Sequence, residues 1–217
     1  MKYKNIQSQK EIIFFSKKLC DLKLNTGTSG NISVRQKDGF LITPTGMDYQ
    51  NLRPQDIVFM NMKKSIFGKR DPSSEWPFHL EIMKKRTDIN AIVHTHSTYA
   101  TVLACQRKGI PRFHYMVAVA GGNDIRCAPY STFGTSRLSK NILSALRNRK
   151  TCLVANHGMV STGKTLKEAF DLAVEVENLA KQYWKILLSG RAKLLSVSQM
   201  QTVLKKFKSY GKQKIDR

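Results

Sequence analysis

Three histidines follow apolar stretches in a pattern that suits a metal site. His94 and His96 form an H-x-H pair after the apolar residues 91–93, and His157 follows the apolar residues 152–155. Residues i and i+2 of a strand point to the same face, so both imidazoles of an H-x-H pair can contact one ion. Three imidazoles beside an open position are typical of a catalytic zinc site. The pattern predicts a metal centre; the alternative is ordinary core or surface histidines, which we expect for His79 and His114.

One carboxylate has neighbours that suit general-base chemistry. Glu75 lies between Ser74 and Trp76, close to two prolines. A large aromatic side chain can exclude water, which raises the pKa of a carboxyl group and makes it a better base. The same position also fits the first turn of a helix, where the dipole favours a negative charge. The two interpretations are compatible, and the residues alone leave both open.

Three short segments are rich in glycine and hydroxyl groups, which suits anion binding. They are residues 27–31, 43–46 and 73–74. Glycines let backbone N–H groups approach an anion closely, and hydroxyls add further donors. Each segment alone is also compatible with an ordinary turn. None matches the P-loop or the dinucleotide-binding fingerprint, so nucleotide binding is disfavoured.

The chain is strongly basic. Its 37 Lys and Arg residues outnumber 15 Asp and Glu residues, which gives a formal net charge of +22. Such a charge is compatible with nucleic-acid or anion binding. The basic residues are nevertheless spread along the chain, and no recognised nucleic-acid-binding motif accompanies them. We interpret them as a lysine-rich solvated surface and keep nucleic-acid binding as a remote alternative.

The remaining sequence features favour a reduced, cytoplasmic protein without a membrane segment. The 4 cysteines lie far apart and form no CxxC pair, so we expect them to be reduced and mostly buried. No apolar run approaches the roughly 20 residues of a spanning helix. The first residues also lack the apolar core and cleavage site of a secretory signal.

Hydrophobic periodicity predicts the elements that hold these residues. Strands are expected at residues 32–35, 39–43, 57–60, 91–93 and 152–155, and helices at 12–22, 76–85, 97–105 and 166–188. Ser97 is expected to cap the third of these helices. Strands and helices are interleaved and no linker divides the chain, so we expect one layered α/β domain over residues 1–217.

Several segments resemble those of the class II aldolase/adducin superfamily and occur in its order. They are GTSGNISVR, LITPTGMDYQNL, SSEW, IVHTHS and NHGMV. The segments IPRFHYMVAVAGGNDIRCAPYSTFGT, LRNRK and KFKSYG resemble the bacterial L-fuculose-1-phosphate aldolases within that superfamily. The resemblance extends from about Leu19 to Gly211. It implies a central, mainly antiparallel sheet flanked by helices.

The resemblance also implies a role for individual residues. One zinc ion per subunit would be bound by Glu75, His94, His96 and His157. Glu75 would also be the catalytic base. The substrate's phosphate would be bound by Gly30, Asn31, Thr45, Gly46, Ser73 and Ser74.

Three aromatic residues would complete the site. Tyr115 would reach it from a neighbouring subunit and act as the catalytic acid. Tyr210, in a C-terminal tail that begins at about residue 196, would help to close the tail over the site. Phe133 would line the aldehyde end.

The activity that the resemblance implies is the reversible cleavage of L-fuculose 1-phosphate, in fucose metabolism. The products would be dihydroxyacetone phosphate and L-lactaldehyde. The enzyme would be a homotetramer with active sites at subunit interfaces, acting on a sugar phosphate.

Other functions stay open at this stage. A ribulose-phosphate 4-epimerase resembles this chain in HTHS but typically has aspartate in place of Glu75. Another ketose-phosphate aldolase, such as one for rhamnulose phosphate, or a methylthioribulose-phosphate dehydratase is also compatible with the motifs. A non-catalytic binding module is disfavoured because every candidate zinc ligand is present.

Overall fold

The computed structural model describes residues 5–207, in which helices and strands are interleaved. The helices are α1 (Ile6–Asp21), α2 (Trp76–Lys85), α3 (Thr98–Cys105), α4 (Ser136–Ala145), α5 (Leu166–Ser189) and α6 (Val197–Phe207). The strands are β1 (Asn31–Gln36), β2 (Gly39–Ile42), β3 (Val58–Asn61), β4 (Ile66–Phe67), β5 (Ala91–Thr95), β6 (Cys127–Ala128), β7 (Thr151–Val154) and β8 (Gly158–Gly163). A 3-10 helix, Tyr115–Ala120, lies between α3 and β6. Within residues 5–207, no helix is both long and apolar enough to cross a membrane.

The strands form one sheet of 8 strands in the order β4-β3-β2-β1-β5-β8-β7-β6. Only the short edge strand β6 runs parallel to its neighbour, and every other pair is antiparallel. The predicted α/β fold, with a central and mainly antiparallel sheet flanked by helices, is confirmed.

Helices cover both faces of the sheet. Residues of α1, α3, α5 and α6 pack on one face, and residues of α2 and α4 pack on the other. Successive side chains of a strand point to opposite faces. In β5, Ala91 and Val93 therefore join the first core and Ile92 joins the second. His94 is two residues after Ile92, so its side chain lies on the same face of the sheet and faces α2.

The N-terminus of α3 is capped by a residue that the sequence did not indicate. Ser97 occupies the N-cap position, as predicted, but its side chain makes no capping hydrogen bond. The carboxylate of Glu177, on α5, instead accepts hydrogen bonds from the backbone N–H groups of Tyr99 and Ala100 at 2.8 and 2.9 Å. This long-range contact ties α5 to the helix that follows the H-x-H pair.

The four cysteines are free, but the expectation that most of them are buried is wrong. Cys152 is buried, Cys20 and Cys127 are partly exposed, and Cys105 is exposed. Cys152 lies on a central strand, whereas Cys105 is the last residue of α3, where the helix meets solvent.

Candidate metal centre

Four side chains converge at one end of the sheet. The ligand atoms of Glu75, His94, His96 and His157 all lie within 4.8 Å of one another. His94 is in β5, His96 follows it, and His157 is in the turn between β7 and β8. Because β5 and β8 pair with Thr95 opposite Met159, that turn lies beside the H-x-H pair. Glu75 reaches the same point from the N-cap position of α2.

The tautomer of His94 is fixed by a backbone contact. Its Nδ1 lies 2.8 Å from the carbonyl oxygen of Met159, which can only accept, so Nδ1 carries the proton. In the neutral ring, Nε2 is then unprotonated. That nitrogen lies 3.0 Å from Nε2 of His96 and 3.0 Å from Oε2 of Glu75. Metal-binding histidines are commonly oriented in this way by a carbonyl group.

The carboxylate of Glu75 is buried without enough donors to satisfy it. The residue is 7% exposed, and Oε1 has no hydrogen-bond donor among the described residues, although Nε2 of His157 lies 3.2 Å away. Burial alone raises the pKa of Glu75, but the adjacent imidazoles, that of His94 above all, lower it well below its usual range. The group is therefore ionised.

The buried carboxylate of Glu75 requires a positive charge beside it. Burial lowers the pKa of His94, but the Glu75 carboxylate outweighs this effect and raises it. Burial and the neighbouring imidazoles lower the pKa of His96 to about 3, so this ring is neutral. Electron-rich nitrogen and oxygen atoms thus converge in a buried place, where an unpaired charge is costly. The donor set fits a metal ion, which would satisfy all four groups at once.

A cavity of about 350 Å³ opens beside this cluster. It is lined by Thr28, Ser29, Gly30, Asn31, Pro44, Thr45, Gly46, Ser73, Ser74, Glu75, His96, Tyr130, Ser131, Phe133, Asn156 and His157. The lining includes every predicted phosphate-binding residue that the structure describes. Phe133 also lines the cavity and is 62% exposed. Within residues 5–207 the lining has hydroxyl and amide groups but no lysine or arginine.

Two of the glycine- and hydroxyl-rich segments are held together by backbone hydrogen bonds. The N–H of Ser73 donates to the carbonyl of Thr43 at 2.9 Å, and the N–H of Thr45 donates to that of Asp71 at 3.1 Å. These bonds bring residues 43–46 beside residues 73–74 at the cavity.

The third segment is supported by residues that sequence reasoning missed. Asn25 accepts a hydrogen bond from the N–H of His96 at 3.1 Å, and Tyr49 donates to the carbonyl of Gly30 at 2.5 Å. Gly30 has a φ of +74°, and a Cβ there would lie 2.3 Å from Nδ2 of Asn25. Asn25 therefore contacts both the segment 27–31 and His96, a candidate metal ligand. No periodicity in the sequence signals these contacts.

Gly158 allows two strands to approach each other closely. Its backbone is not left-handed; a Cβ would lie 2.3 Å from the carbonyl oxygen of Thr95. The left-handed residue of this turn is Asn156, with a φ of 53°. Gly158 therefore lets β8 approach β5 closely beside His157.

One predicted residue among those that the structure describes joins neither the four-residue cluster nor this cavity. Tyr115 begins the 3-10 helix Tyr115–Ala120, is 49% exposed and is absent from the lining. Helix α6 packs against the same 3-10 helix. Tyr210 lies outside the residues that the structure describes.

Comparison with known proteins identifies the family. Residues 10–184 match the family model "Class II Aldolase and Adducin N-terminal domain". A 5-methylthioribulose-1-phosphate/5-deoxyribulose-1-phosphate aldolase of Rhodospirillum rubrum is 53% identical over 200 residues, covering 92% of this chain and 90% of that protein. An L-fuculose phosphate aldolase of Escherichia coli K12 is 44% identical over 203 residues, covering 93% and 94%.

A solved structure agrees with both matches. An L-fuculose 1-phosphate aldolase superimposes with a TM-score of 0.89 at 42% identity, covering 92% of this chain and 95% of that one. The family match spans most of the chain, and the relatives cover nearly all of it. The chain therefore belongs to the class II aldolase and adducin family, as its sequence motifs predict.

Proposed function

We propose that this protein is a zinc-dependent aldolase that reversibly cleaves a 1-phosphorylated ketose into dihydroxyacetone phosphate and an aldehyde. The observation that carries the proposal is the convergence of three imidazoles and one buried carboxylate beside a cavity lined with neutral donors. Three imidazoles with a carboxylate suit zinc, and a position open to substrate suits catalysis.

Glu75 is the base of the proposed reaction. In the synthetic direction, Oε1 takes a proton from the carbon of dihydroxyacetone phosphate that becomes bonded to the aldehyde. The electron pair left on that carbon forms the new carbon–carbon bond. His94, His96, His157 and Glu75 would hold the zinc ion, which would supply Lewis-acid catalysis at the substrate's hydroxyketone group. No Schiff base is involved, so no lysine is needed.

The phosphate group is bound by the neutral end of the cavity. The N–H and hydroxyl donors there belong to the predicted phosphate-binding residues Gly30, Asn31, Thr45, Gly46, Ser73 and Ser74. Thr28 and Ser29 line the same end and add hydroxyls that the sequence resemblance did not assign. Donors fixed by loop backbone hold the phosphate in one orientation, which positions the reacting carbon relative to Glu75.

Tyr115 is proposed to act in the cavity of a neighbouring subunit. Its exposure and its absence from the lining of its own cavity support this assignment. There it donates a proton to the aldehyde oxygen as the new bond forms. The proposed assembly is a homotetramer, and the tail from about residue 196, with Tyr210, is proposed to close over the same site.

The proposed substrate is L-fuculose 1-phosphate. The relative from Rhodospirillum rubrum supports a second candidate class, 5-deoxyribulose 1-phosphate and its methylthio analogue. All three compounds carry the phosphate at carbon 1 and end in a carbon without a hydroxyl group. Tyr130 and Phe133, which are 53% and 62% exposed at the cavity, would contact that apolar end.

Release of dihydroxyacetone phosphate from each of the three compounds tests the proposal. Activity should disappear with a chelator, return with zinc and fall about 100- to 10,000-fold in Glu75→Gln, the range of general-base catalysis. The ratio of kcat/KM values then ranks the three substrates. A protein that binds zinc but cleaves none of them would contradict the aldolase assignment, and pentulose-phosphate epimerisation would be assayed next.

A further inference from the structure

A buried chain of hydrogen bonds leads from the interior of the sheet to Glu75. Ser33 Oγ lies 2.7 Å from Nδ1 of His79, and Nε2 of His79 lies 2.5 Å from Oδ1 of Asn31. Nδ2 of Asn31 donates to Oε2 of Glu75 at 3.0 Å. Ser33 and His79 are fully buried, and Asn31 is 2% exposed. These hydrogen bonds are therefore shielded from solvent, and they reach the cavity only at Asn31 and Glu75.

The register of the sheet places these residues together. Asn31 and Ser33 of β1 are opposite His94 and Ile92 of β5, so their side chains share the sheet face covered by α2. His79 is four residues after Glu75 on that helix, and residues four apart lie on one side of a helix. A strand and a helix thus each contribute two members of the chain.

The carboxylate fixes the direction of every bond. Nδ2 of Asn31 lies 3.0 Å from Oε2 of Glu75, so the amide directs its NH₂ group toward the carboxyl group. Oδ1 of Asn31 then faces His79 and can only accept, so Nε2 of His79 carries the proton. In a neutral ring Nδ1 is an acceptor, and it receives the hydroxyl proton of Ser33. All three protons therefore point toward Glu75.

We propose that His79 is a positioning residue for the catalytic base, held in one tautomer by Ser33. Through Asn31 it fixes a donor on Oε2 of Glu75 and leaves Oε1, which has no donor among the described residues, to accept the substrate's proton. The inference rests on the proposed function, because it concerns the base of that reaction. It assigns Asn31 a second role beside phosphate binding.

A series of variants separates positioning from mere packing. His79→Leu should lower kcat about 10- to 100-fold, the usual effect of losing such a supporting hydrogen bond, while KM changes less. His79→Gln offers an N–H donor in place of Nε2 and should recover most of the loss. Ser33→Ala should lower kcat less than His79→Leu does. Met83→Ala, a buried residue of α2 outside the chain, should lower stability without changing kcat.

A direct measurement covers variants that fail to fold. In ¹⁵N-histidine-labelled wild-type protein, NMR should find His79 neutral with the proton on Nε2, before and after zinc is removed. In Ser33→Ala the Nδ1 resonance should shift, because its donor is lost. A proton on Nδ1 in the wild-type protein overturns the inference.

The kinetic outcomes also differ from those that test the proposed function. Equal kcat values for His79→Leu and His79→Gln overturn the positioning role even when the wild-type protein is a good aldolase. The proposed function fails if the wild-type protein does not release dihydroxyacetone phosphate and also does not exchange the proton on the reacting carbon of dihydroxyacetone phosphate for deuterium in D₂O. The positioning role of His79 in catalysis then fails as well. The NMR measurement of the His79 tautomer still tests the direction of the hydrogen bonds from Ser33 to Glu75.

Discussion

The four side chains of the metal centre stabilise one another only if a cation lies between them. When the ring of His94 is neutral, its Nε2 carries no proton and lies 3.0 Å from Oε2 of Glu75, in a buried position where two acceptors repel each other. A protein without the ion must leave this repulsion or protonate a ring. Metal binding is therefore expected to add to the stability of the folded state.

Loss of one imidazole should remove most of this stabilisation. At a zinc concentration about 100 times Kd, binding adds about 2.7 kcal/mol to the free energy of unfolding. His96→Ala should bind less than one equivalent of zinc at that concentration and lose most of the stabilisation. Metal analysis and thermal unfolding with and without chelator measure both effects. His114→Ala, outside the cluster, is the control, and equal zinc content in the two variants would contradict the assignment.

Two glycines with left-handed backbones should differ in their tolerance of alanine. Gly27 has a φ of +59° and no atom within 4 Å of a new Cβ, so Gly27→Ala should cost about 1 kcal/mol. At Gly30 the Cβ would also meet Nδ2 of Asn25 at 2.3 Å and the carbonyl oxygen of His94 at 2.6 Å. Gly30→Ala should cost about 3 kcal/mol or more. Denaturant unfolding compares them, and equal losses would show that the contact with Asn25 relaxes freely.

Among the secondary-structure elements, α5 supports the metal centre from the opposite face of the sheet. Its Glu177 binds the first N–H groups of α3, and α3 begins two residues after His96. The first N–H groups of a helix have no partner within the helix, so a carboxylate satisfies them and favours the dipole. The position of the strand end that carries His96 thus depends on a contact with a distant helix.

Removal of this cap should destabilise the protein measurably. Glu177→Ala should cost about 2 kcal/mol, since two hydrogen bonds to a charged group are lost. Asp171→Ala, on the same helix, removes an exposed ion pair with Lys167 and should cost less than about 0.5 kcal/mol. Denaturant midpoints at constant m-value give both numbers. A Glu177→Ala effect as small as that of Asp171→Ala would contradict the capping role.

At the scale of the whole molecule, the +22 net charge should favour the encounter with an anionic substrate. The cavity lining itself has no lysine or arginine among the described residues, so the attraction is long-range and screened by salt. With a Debye length of about 10 Å at 0.1 M, kcat/KM should fall several-fold as KCl rises to 0.5 M, at constant kcat. Sucrose at matched osmolality is the control. A kcat/KM that does not respond to salt would mean that the charge has no part in substrate capture.

The proposed sharing of active sites between subunits predicts complementation. Glu75→Gln and Tyr115→Phe should each be poorly active alone. When they are co-expressed and assemble at random, about a quarter of the cavities combine an intact Glu75 with a neighbour's intact Tyr115. Activity should rise to that fraction of the wild-type value. No gain, in mixed oligomers verified by mass spectrometry, would place Tyr115 outside the catalytic machinery of a neighbouring subunit.

The sequence by itself determined the local parts of this protein. The strand 32–35 follows from a period-2 pattern and the helix 76–85 from a helical one, because burial of one face imposes that spacing. The strand 91–93 follows from a continuous apolar run, which is typical of a strand buried on both faces. The convergence of His94 and His96 follows from the H-x-H spacing, because alternate residues of a strand share a face. The family followed from motifs spread over almost the whole chain.

The tertiary structure decided which distant residues meet. The β5–β8 register brings His157 to the H-x-H pair, and the β1–β5 register brings Asn31 to the carboxylate of Glu75. His79 seemed an ordinary structural histidine because its partners, Ser33 and Asn31, are more than forty residues away in the chain. Such contacts depend on strand pairing and on which face each helix covers, and no local periodicity encodes either.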